Sequence, residues 1–382
     1  MALLVLALLF ADLLSIAFLF LDIHLWREWH EYRNTAADDY ADRCLYGAIA
    51  LLAYMALMGR PLILRLLSKK RPGEKEPHLF ESDRKDRLER PDGTVINIEY
   101  YGPADAQPLI LVHGWNSNQS GWFYQRQYFE KEYRLILVDL PGLGKSTRPK
   151  NKDFSLSKMA QDINAVIEFT GAKNAVLWGH SIGGMTLLTL LAKHAQSLTY
   201  PPKGLILEHT TFTNPVKTIL FAKLMMAIQK PVLVPICYLL IALSPLVWIS
   251  RWMSYLNGNS HLFTRLLTFT GTQSPKQLDF VTLLSTLAPP AVTARGVLGM
   301  FRYDVTGELP RIQLPVLVIA ADKDRLTKPV ASEYLAQHLP QAQLVYVQPG
   351  GHQALVERHR EVNEAAARFI GSLETVPLGR AR

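Results

Sequence analysis

The sequence has little charge and few cysteines for a chain of its length. Of its 382 residues, 19% are Asp, Glu, Lys or Arg, and the two cysteines are Cys44 and Cys237. Charged residues make up about a quarter of an average soluble domain, so part of this chain is expected to contact lipid. Two isolated cysteines exclude a disulfide framework and a cysteine-rich metal site, and they do not define the redox compartment.

The sequence also lacks a dense basic block, although Lys and Arg exceed Asp and Glu by 41 to 33. The tightest basic run, 69–71, directly follows an apolar stretch. Nucleic-acid-binding surfaces need basic residues clustered on one face, so nucleic acid is not an expected partner. A basic run beside an apolar stretch is instead typical of a protein at a membrane surface.

Two long apolar runs predict a membrane anchor in residues 1–67. The first, 3–23, has about the length that a bilayer core requires and is interrupted only by two aspartates. The second, 45–67, is uncharged up to Gly59 and then carries two arginines and a proline. A cleaved signal peptide is the alternative for the first run, but no positive residue precedes it and no small-x-small cleavage site follows it. We predict a helical hairpin.

The distribution of Lys and Arg predicts the orientation of this hairpin. The segment 24–44 holds three of them and 68–90 holds eight, so the positive-inside rule places 68–90 in the cytoplasm. The N-terminus is then cytoplasmic too, and an integral membrane location with a cytoplasmic catalytic part follows. Residues 68–90 are predicted to be a charged tether, with the globular part beginning near Pro91.

Beyond Pro91, short runs of Val, Ile and Leu alternate with stretches of helical pattern. Such runs, mostly about 20 to 40 residues apart, are typical of buried parallel strands joined by helices. We predict an α/β fold with a mostly parallel sheet and helices on both faces. The predicted strands are 94–100, 109–112, 134–138, 175–178, 204–207, 316–320 and 343–347, and the predicted helices are 156–169, 183–195, 329–338 and 360–372.

A serine between glycines follows the fourth of these strands. Ser181 lies in the sequence Gly-His-Ser-Ile-Gly-Gly, which runs from Gly179 and includes Gly183. At a strand-to-helix turn, this spacing holds the serine in a strained conformation with its hydroxyl exposed, and only glycine neighbours leave room for the turn. The motif predicts that Ser181 is a nucleophile.

Three further positions carry the groups that a nucleophilic serine needs. Asp324 and His352 each follow a later predicted strand, and the order Ser, Asp, His suits a nucleophile, an orienting acid and a general base. A His-Gly-Trp-Asn loop containing Gly114 follows the second strand. We predict that the backbone N–H groups of Trp115 and Ile182 form an oxyanion hole.

Taken in order, the motifs HGWN, DLPGLGKS (139–146), GHSIGG, AADKD and GGH resemble those of the α/β-hydrolase superfamily over residues 91–375. The resemblance implies the fold of that family, a serine esterase or lipase type of activity with a Ser-His-Asp triad, and no metal or organic cofactor. Asp324 has the family's spacing, and Asp322 is the alternative acid.

The core predicted in this way consists of 91–208 and 301–375, and a long insert separates its two parts. Within this insert, 209–300, the stretch 231–250 has no charge and the composition of a transmembrane helix. A single crossing there would separate Ser181 from the acid and the base. The insert is therefore predicted to be a hydrophobic lid, in which 231–250 is either buried or forms short helices that dip into one leaflet.

These observations together predict a membrane-anchored serine hydrolase that cleaves carboxylic esters. Lipophilic or lipid acyl esters are the expected substrates, and membrane lipid is the expected partner. A carbon–carbon bond hydrolase or a perhydrolase on the same fold is an alternative activity. A membrane interaction protein that retains a non-catalytic hydrolase scaffold is the non-enzymatic alternative. The oligomeric state is not predicted.

Overall fold

The computed structural model describes residues 2–219 and 221–375. Eight strands form one sheet in the order β1-β2-β4-β3-β5-β6-β7-β8. β1 pairs with β2 and β2 with β4 in antiparallel register, whereas the remaining neighbours are parallel. The strands are β1 Lys85–Glu89, β2 Val95–Tyr101, β3 Pro108–Val112, β4 Arg134–Val138, β5 Val176–His180, β6 Gly204–Glu208, β7 Val316–Ala321 and β8 Ala342–Val347.

Fifteen α-helices are found in the described part of the chain. They are α1 Ala2–Tyr32, α2 Asp38–Ala53, α3 Gly59–Leu67, α4 Phe123–Phe129, α5 Leu156–Phe169, α6 Ile182–Lys193, α7 Ala222–Ile228, α8 Val234–Ala242, α9 Ser244–Leu256, α10 Asn259–Thr268, α11 Pro275–Leu287, α12 Pro290–Met300, α13 Pro329–His338, α14 Ala354–Glu357 and α15 His359–Thr375.

Alternate residues of the central strands face two separate apolar cores. Along β3, Ile110 and Val112 belong to one buried cluster, together with residues of α5 and α6. Leu109 and Leu111 belong to the other, together with residues of α4 and α15. A strand buried on both faces reads as a continuous apolar run rather than an alternating one. The predicted α/β class, with a mostly parallel sheet and helices on both faces, is confirmed.

One strand was not among those predicted. The segment 68–90, expected to be a tether, contributes β1 (Lys85–Glu89) at the antiparallel edge of the sheet. Its sequence is KDRLE and four of its five residues are exposed. Charged side chains are common on edge strands because they discourage pairing with other chains. Because of these charges β1 contains no apolar run, and an apolar run is the pattern that predicts a buried strand. With β1 included, the sheet begins at Lys85, before Pro91.

Both N-terminal apolar runs are helical and extend beyond the predicted limits. α1 continues to Tyr32, while α2, one π-helical turn and α3 form a continuous helix from Asp38 to Leu67. Leu6–Tyr32 and Asp38–Leu67 are each long and apolar enough to cross a membrane. Many of their large apolar side chains are exposed, among them Phe20, Leu57 and Leu66. The two helices pack against each other.

The insert between β6 and β7 is helical and contacts the N-terminal helices. α9 and α10 pack on α1, and α10 and α11 pack on α3. Polar groups join these helices: the Ser250 hydroxyl donates to the Asp12 carbonyl over 3.1 Å, and the Asn257 amide donates to the Ser15 hydroxyl over 2.9 Å. The hairpin is therefore packed on the insert rather than connected to the core by a tether alone.

The uncharged stretch 231–250 is not one helix. α8 ends at Ala242 and α9 begins at Ser244, so the stretch is interrupted at Leu243. α8 packs on α12, with Cys237 and Leu240 buried in the main apolar core and Leu239 exposed. With α7 and a π-helical turn, α8 also makes Ala222–Ala242 long and apolar enough to span a bilayer. One face of this helix thus packs on the protein, and the other remains apolar and exposed.

Candidate active site

Ser181 occupies a sharp turn between β5 and α6. Its φ of +53° is in a region that residues other than glycine rarely adopt. Two neighbours must be glycine because the backbone is crowded: a Cβ at Gly179 would lie 2.5 Å from the Gly184 nitrogen, and one at Gly183 would lie 2.0 Å from the Val112 oxygen. The turn places the serine hydroxyl at the carboxyl end of the sheet, where the cavity lies.

The structure brings Ser181, His352 and Asp324 into one chain of hydrogen bonds. The Ser181 hydroxyl donates to His352 Nε2 over 3.1 Å, and His352 Nδ1 donates to Asp324 Oδ2 over 2.8 Å. All three residues are at most 4% exposed. This is the geometry of a nucleophile, a general base and an orienting acid.

Asp324 is held as a carboxylate by several donors. Its Oδ1 accepts from the backbone N–H groups of Leu326 (2.7 Å) and Thr327 (2.9 Å), and its Oδ2 from the Thr327 hydroxyl (2.8 Å). Burial opposes the charge, but the charge and hydrogen bond of His352 and the Thr327 N–H lower the pKa of Asp324 to about 2. Thr327 was not predicted, although its position three residues after the aspartate is a common capping arrangement.

Asp322, the alternative acid, lies outside this chain of hydrogen bonds. Its Oδ1 accepts from the Gly350 N–H over 2.8 Å, and its Oδ2 lies 3.6 Å from Lys323 Nζ. These contacts fix the loop that carries His352, which follows directly after Gly350 and Gly351. Asp322 therefore positions the base loop, and Asp324 contacts the base itself.

The two predicted oxyanion donors lie in the loop after β3 and at the start of α6. Ile182 is the first residue of α6, where backbone N–H groups have no acceptor within the helix and form the positive end of the helix dipole. Trp115 lines the same cavity as Ser181. Its ring nitrogen donates to the Thr293 carbonyl over 3.0 Å, and a Cβ at Gly296 would lie 2.0 Å from the ring. The insert helix α12 thus fixes the loop that carries Trp115.

A buried network supports the oxyanion loop. The imidazole of His113 accepts from the Leu140 N–H over 3.0 Å at Nε2 and donates to the Gly114 carbonyl over 2.8 Å at Nδ1. Burial lowers the pKa of His113 to about 4, so it is neutral at physiological pH. Asp139 accepts from the backbone N–H groups of Gln119 (2.8 Å) and Lys145 (3.0 Å). These contacts join the HGWN loop to the DLPGLGKS turn.

Glu208 and His209 lie near the triad without joining it. The Glu208 carboxyl accepts from the Trp178 indole over 2.9 Å, and its backbone oxygen accepts from the Ser181 N–H over 2.9 Å. Burial raises the pKa of Glu208 to about 8 and lowers the pKa of His209 to about 3, so both are neutral at pH 7. The His209 ring centroid is 6.3 Å from that of His352.

The cavity above Ser181 is narrow and is closed on one side by the insert. Its volume is about 30 Å³, room for a water molecule or two and far below the roughly 300 Å³ of a small-molecule pocket. One wall consists of residues of α10 and α11, namely Thr264, Thr268, Val281, Leu284 and Ser285. Residues 231–250 do not line it. This wall of the cavity is thus formed by α10 and α11, which were not predicted from the sequence to line the site.

The described residues contain no cluster of three or more His, Cys, Asp or Glu side chains that could hold a metal ion. The side chains around Ser181 are those of the hydrogen-bonded triad and of its supporting loops.

Comparison with known proteins identifies the family. The family model described as "alpha/beta hydrolase fold" matches residues 107–234 and 240–358. The chain belongs to this family. RutD of Stutzerimonas stutzeri, provisionally named a carbamate hydrolase, is 25% identical over 261 residues, which are 68% of this chain and 90% of RutD. Lipase 3 of Moraxella sp. is 24% identical over 269 residues, 66% of this chain and 73% of the lipase.

Solved structures agree with the fold. An esterase of Exiguobacterium antarcticum superposes with a TM-score of 0.62 at 22% identity, over 76% of this chain and all of the esterase. At this identity the likeness bears on the fold alone. The α/β-hydrolase fold predicted from the motifs is confirmed, and the chain is a hydrolase of this superfamily.

Proposed function

We propose that this hydrolase is a membrane-anchored serine hydrolase that cleaves carboxylic esters, with lipophilic or lipid acyl esters as substrates. The observation that carries the proposal is the hydrogen-bonded chain from Ser181 Oγ through His352 to Asp324. The provisional carbamate activity of RutD and the name of Lipase 3 both belong to acyl-transfer chemistry, which such a chain performs.

The reaction follows from the positions of these groups. Ser181 Oγ attacks the carbonyl carbon while its proton passes to His352 Nε2, and the N–H groups of Trp115 and Ile182 stabilise the oxyanion. His352 then gives the proton to the departing alkoxide, leaving an acyl ester on Ser181. Water then attacks this ester while His352 accepts its proton, and His352 gives that proton to Ser181 Oγ as the bond to the acyl group breaks and the carboxylic acid leaves. Asp324 holds the imidazole in the required tautomer throughout.

A groove beside the cavity supports the proposal of a lipophilic substrate. It has a volume of about 620 Å³ and shares Ser117 and Leu284 with the cavity above Ser181. Its apolar walls come from the segment before β1 and from the insert, at Leu79, Trp248, Leu287, Ala288 and Pro289. A chain attached to an ester carbonyl at Ser181 reaches this groove past Leu284.

The N-terminal helices support the proposal of membrane anchoring. Their exposed apolar side chains suit lipid contact, and Trp26 and Trp29 stand near the charged end of α1, as expected at a bilayer interface. The excess of Lys and Arg in 68–90 over 24–44 favours a cytoplasmic catalytic part. Because α9 and α10 pack on the first half of α1, the insert would lie at the same membrane surface.

Ester hydrolysis by detergent-solubilised full-length protein tests this function. A panel of p-nitrophenyl esters from acetate to palmitate measures activity and chain-length preference together. We expect turnover and labelling by a fluorophosphonate probe, both abolished in Ser181→Ala and retained in Asp322→Asn. A folded protein without labelling or turnover would favour the non-catalytic scaffold. Acyl transfer to hydrogen peroxide instead of water would favour a perhydrolase, and cleavage of a β-diketone but no ester would favour carbon–carbon bond hydrolysis.

A further inference from the structure

Four residues that line the cavity above Ser181 carry buried polar atoms without a hydrogen-bond partner in the described part of the chain. They are Asn116 (Nδ2), Trp122 (Nε1), Thr264 (Oγ1) and Ser285 (Oγ). The residues are between 0% and 8% exposed. Buried polar groups in native proteins are nearly always paired, so these groups are available to a polar atom of a substrate that takes the place of water in the cavity.

The chemistry of these atoms restricts that partner. An indole N–H can only donate, so Trp122 requires an acceptor. The hydroxyls of Thr264 and Ser285 can also donate to an acceptor. The Asn116 amide is anchored at Oδ1 by the Thr293 hydroxyl over 2.7 Å, which leaves Nδ2 as a further donor. Each of the four groups can therefore donate to an acceptor oxygen of a substrate.

The charge around the cavity restricts the partner further. No Lys or Arg lines the cavity among the described residues. His113 and His180 do line it, but burial lowers the pKa of both, to about 4 for His113 and well below its ordinary value for His180, where the neighbouring histidines add to the effect. A carboxylate would therefore be desolvated there without a cation to compensate it. Val281, Leu284, Leu355 and Val356 add apolar side chains to the walls.

We propose that the cavity selects esters with a second, uncharged acceptor oxygen close to the scissile carbonyl, such as an ether or a further ester, and that Trp122, Thr264 and Ser285 determine this specificity. The inference rests on the proposed ester hydrolysis at Ser181. The second oxygen stands on either the acyl or the alcohol part, and it is bound beside the carbonyl while the rest of the molecule extends past Leu284.

The positions of the four residues make them suited to substrate recognition. Trp122 and Asn116 belong to the segment between β3 and α4, whereas Thr264 and Ser285 belong to α10 and α11 of the insert. The indole of Trp122 is held by an edge-to-face contact with Trp178, with ring centroids 5.4 Å apart. A substrate oxygen bound between the two segments would connect the core to the insert, so recognition would also hold the insert over the site.

Two pairs of isosteric esters test the proposal with detergent-solubilised full-length protein. On the acyl side, p-nitrophenyl methoxyacetate is compared with p-nitrophenyl butanoate. On the alcohol side, 2-methoxyethyl butanoate is compared with butyl butanoate. In each pair an ether oxygen replaces a methylene at constant chain length. Each ratio of kcat/KM is divided by the ratio of the rates of alkaline hydrolysis, which removes the difference in intrinsic reactivity.

We expect a corrected preference of about tenfold for the ether in one of the two pairs, and the pair that shows it identifies the part of the substrate that carries the oxygen. Trp122→Phe, Thr264→Val and Ser285→Ala should each reduce this preference by about two- to tenfold, the effect of one neutral hydrogen bond. Thr282→Val is the matched control, because its hydroxyl donates to the Leu278 carbonyl over 2.8 Å and does not line the cavity.

Serine-dependent hydrolysis of all four esters without a corrected preference in either pair would overturn this inference and leave the proposed function intact. A preference that persists in all three variants, or that Thr282→Val lowers equally, would also overturn it. Absence of hydrolysis of every ester would instead contradict the proposed function. Thermal unfolding shows whether each variant folds. The three substitutions lie on three different segments of the chain, so the test does not depend on any one variant that fails to fold.

Discussion

The backbone of Asn257 lies so close to Gly59 that a Cβ atom at residue 59 would be 2.2 Å from the Asn257 carbonyl oxygen. Gly59 is the first residue of α3, and Asn257 directly follows α9. The next residue, Gly258, has a φ of +86° and would place a Cβ 2.8 Å from Ile63. Two glycines thus permit direct backbone contact between the second N-terminal helix and the insert, whose helices α10 and α11 form one wall of the cavity above Ser181.

This contact predicts the effect of a single added methyl group. Gly59→Ala should lower the free energy of unfolding by about 1 to 3 kcal/mol, because the methyl group overlaps backbone atoms that cannot move independently. Thermal unfolding in detergent measures the change. Gly371→Ala is the matched control, since Gly371 is also helical and has open space at its Cβ position. There the better helix propensity of alanine should raise stability by up to about 1 kcal/mol.

A stabilisation by Gly59→Ala comparable to that by Gly371→Ala would show that the hairpin and the insert are not in backbone contact. The hairpin would then be an anchor that can be exchanged for another. A loss of stability in Gly59→Ala would support the contact. The hairpin would then be coupled through α3 to α10 and α11, which form one wall of the cavity.

A second link between hairpin and insert is ionic and depends on pH. The Asp279 carboxylate accepts from Arg60 Nε (2.8 Å), the Tyr255 hydroxyl (2.9 Å) and His261 Nε2 (3.0 Å). Burial opposes ionisation, but the hydrogen bonds of His261 and Arg60 keep the pKa of Asp279 well below its usual range. Asp279→Asn should cost about 1 to 3 kcal/mol at pH 7, a moderate value because Arg60 is one-third exposed.

The sign of the pH dependence follows from this lowered pKa. In the unfolded chain an aspartate titrates near about 3.9, so the native carboxylate contributes its full stabilisation above that pH. The contribution is lost as the pH falls towards the native pKa. Denaturant unfolding between pH 7 and pH 3 should therefore show a difference between wild type and Asp279→Asn that shrinks only below about pH 4. A difference that is constant over this range would rule out an ionised Asp279 in the native state.

Substitution of two aspartates in the same loop tests which of them is the catalytic acid. Asp324→Asn should lower kcat by about 10³ to 10⁴, because the amide favours the wrong tautomer of His352. Asp322→Asn should leave kcat within a few-fold of the wild type, because Asp322 contacts the Gly350 backbone and not the imidazole. Steady-state kinetics with a short ester compares the two variants. The reverse order of effects would assign the acid to Asp322.

These triad positions could be predicted from the sequence for a physical reason. Ser181, Asp324 and His352 each follow a strand whose apolar run is unmistakable, and the carboxyl ends of parallel strands converge at one edge of the sheet. The wall that the insert contributes to the cavity above Ser181 could not be predicted. Thr264 and Ser285 lie on insert helices whose polar residues face an internal cavity, and in a sequence such residues look like those of a solvated helix face.

Sequence patterns also failed at the edge of the sheet and in the insert. β1 was missed because an edge strand with charged side chains has no apolar run. The stretch 231–250 has the hydropathy of a membrane span, yet the structure breaks it at Leu243. None of its residues lines the cavity above Ser181, and Trp248 lines the adjoining groove. Hydropathy reports contact with an apolar medium, and it does not distinguish lipid, protein core and substrate.

The orientation of the hairpin is tested by single cysteines at two exposed positions, Asn34 and Lys75. In a background of Cys44→Ala and Cys237→Ala, we expect an impermeant maleimide on intact cells to label Asn34→Cys and not Lys75→Cys. The reason is the excess of Lys and Arg in 68–90, which favours the cytoplasmic side for that segment. Permeabilised cells, in which both cysteines should react, provide the control. Labelling of Lys75→Cys alone would reverse the orientation.

The last prediction concerns the path of an acyl chain from Ser181. Leu284 lines both the cavity above the serine and the adjoining groove. A chain that follows this path would bury its methylenes in the groove, at about 0.8 kcal/mol each, so kcat/KM should rise from acetate to octanoate. Leu284→Trp places a larger side chain at the junction and should reduce kcat/KM for the octanoate ester by about tenfold or more relative to the acetate ester.

Leu239→Trp is the control, because it makes the same substitution within 231–250 at a residue that is 56% exposed and lines neither space. We expect it to leave the ratio of octanoate to acetate activity near that of the wild type. If Leu239→Trp changes this ratio and Leu284→Trp does not, the chain runs along α8, as its hydropathy suggests. If both variants lose activity on long and short esters equally, the two leucines support the fold and neither contacts the chain, because a contact with the chain must discriminate by its length.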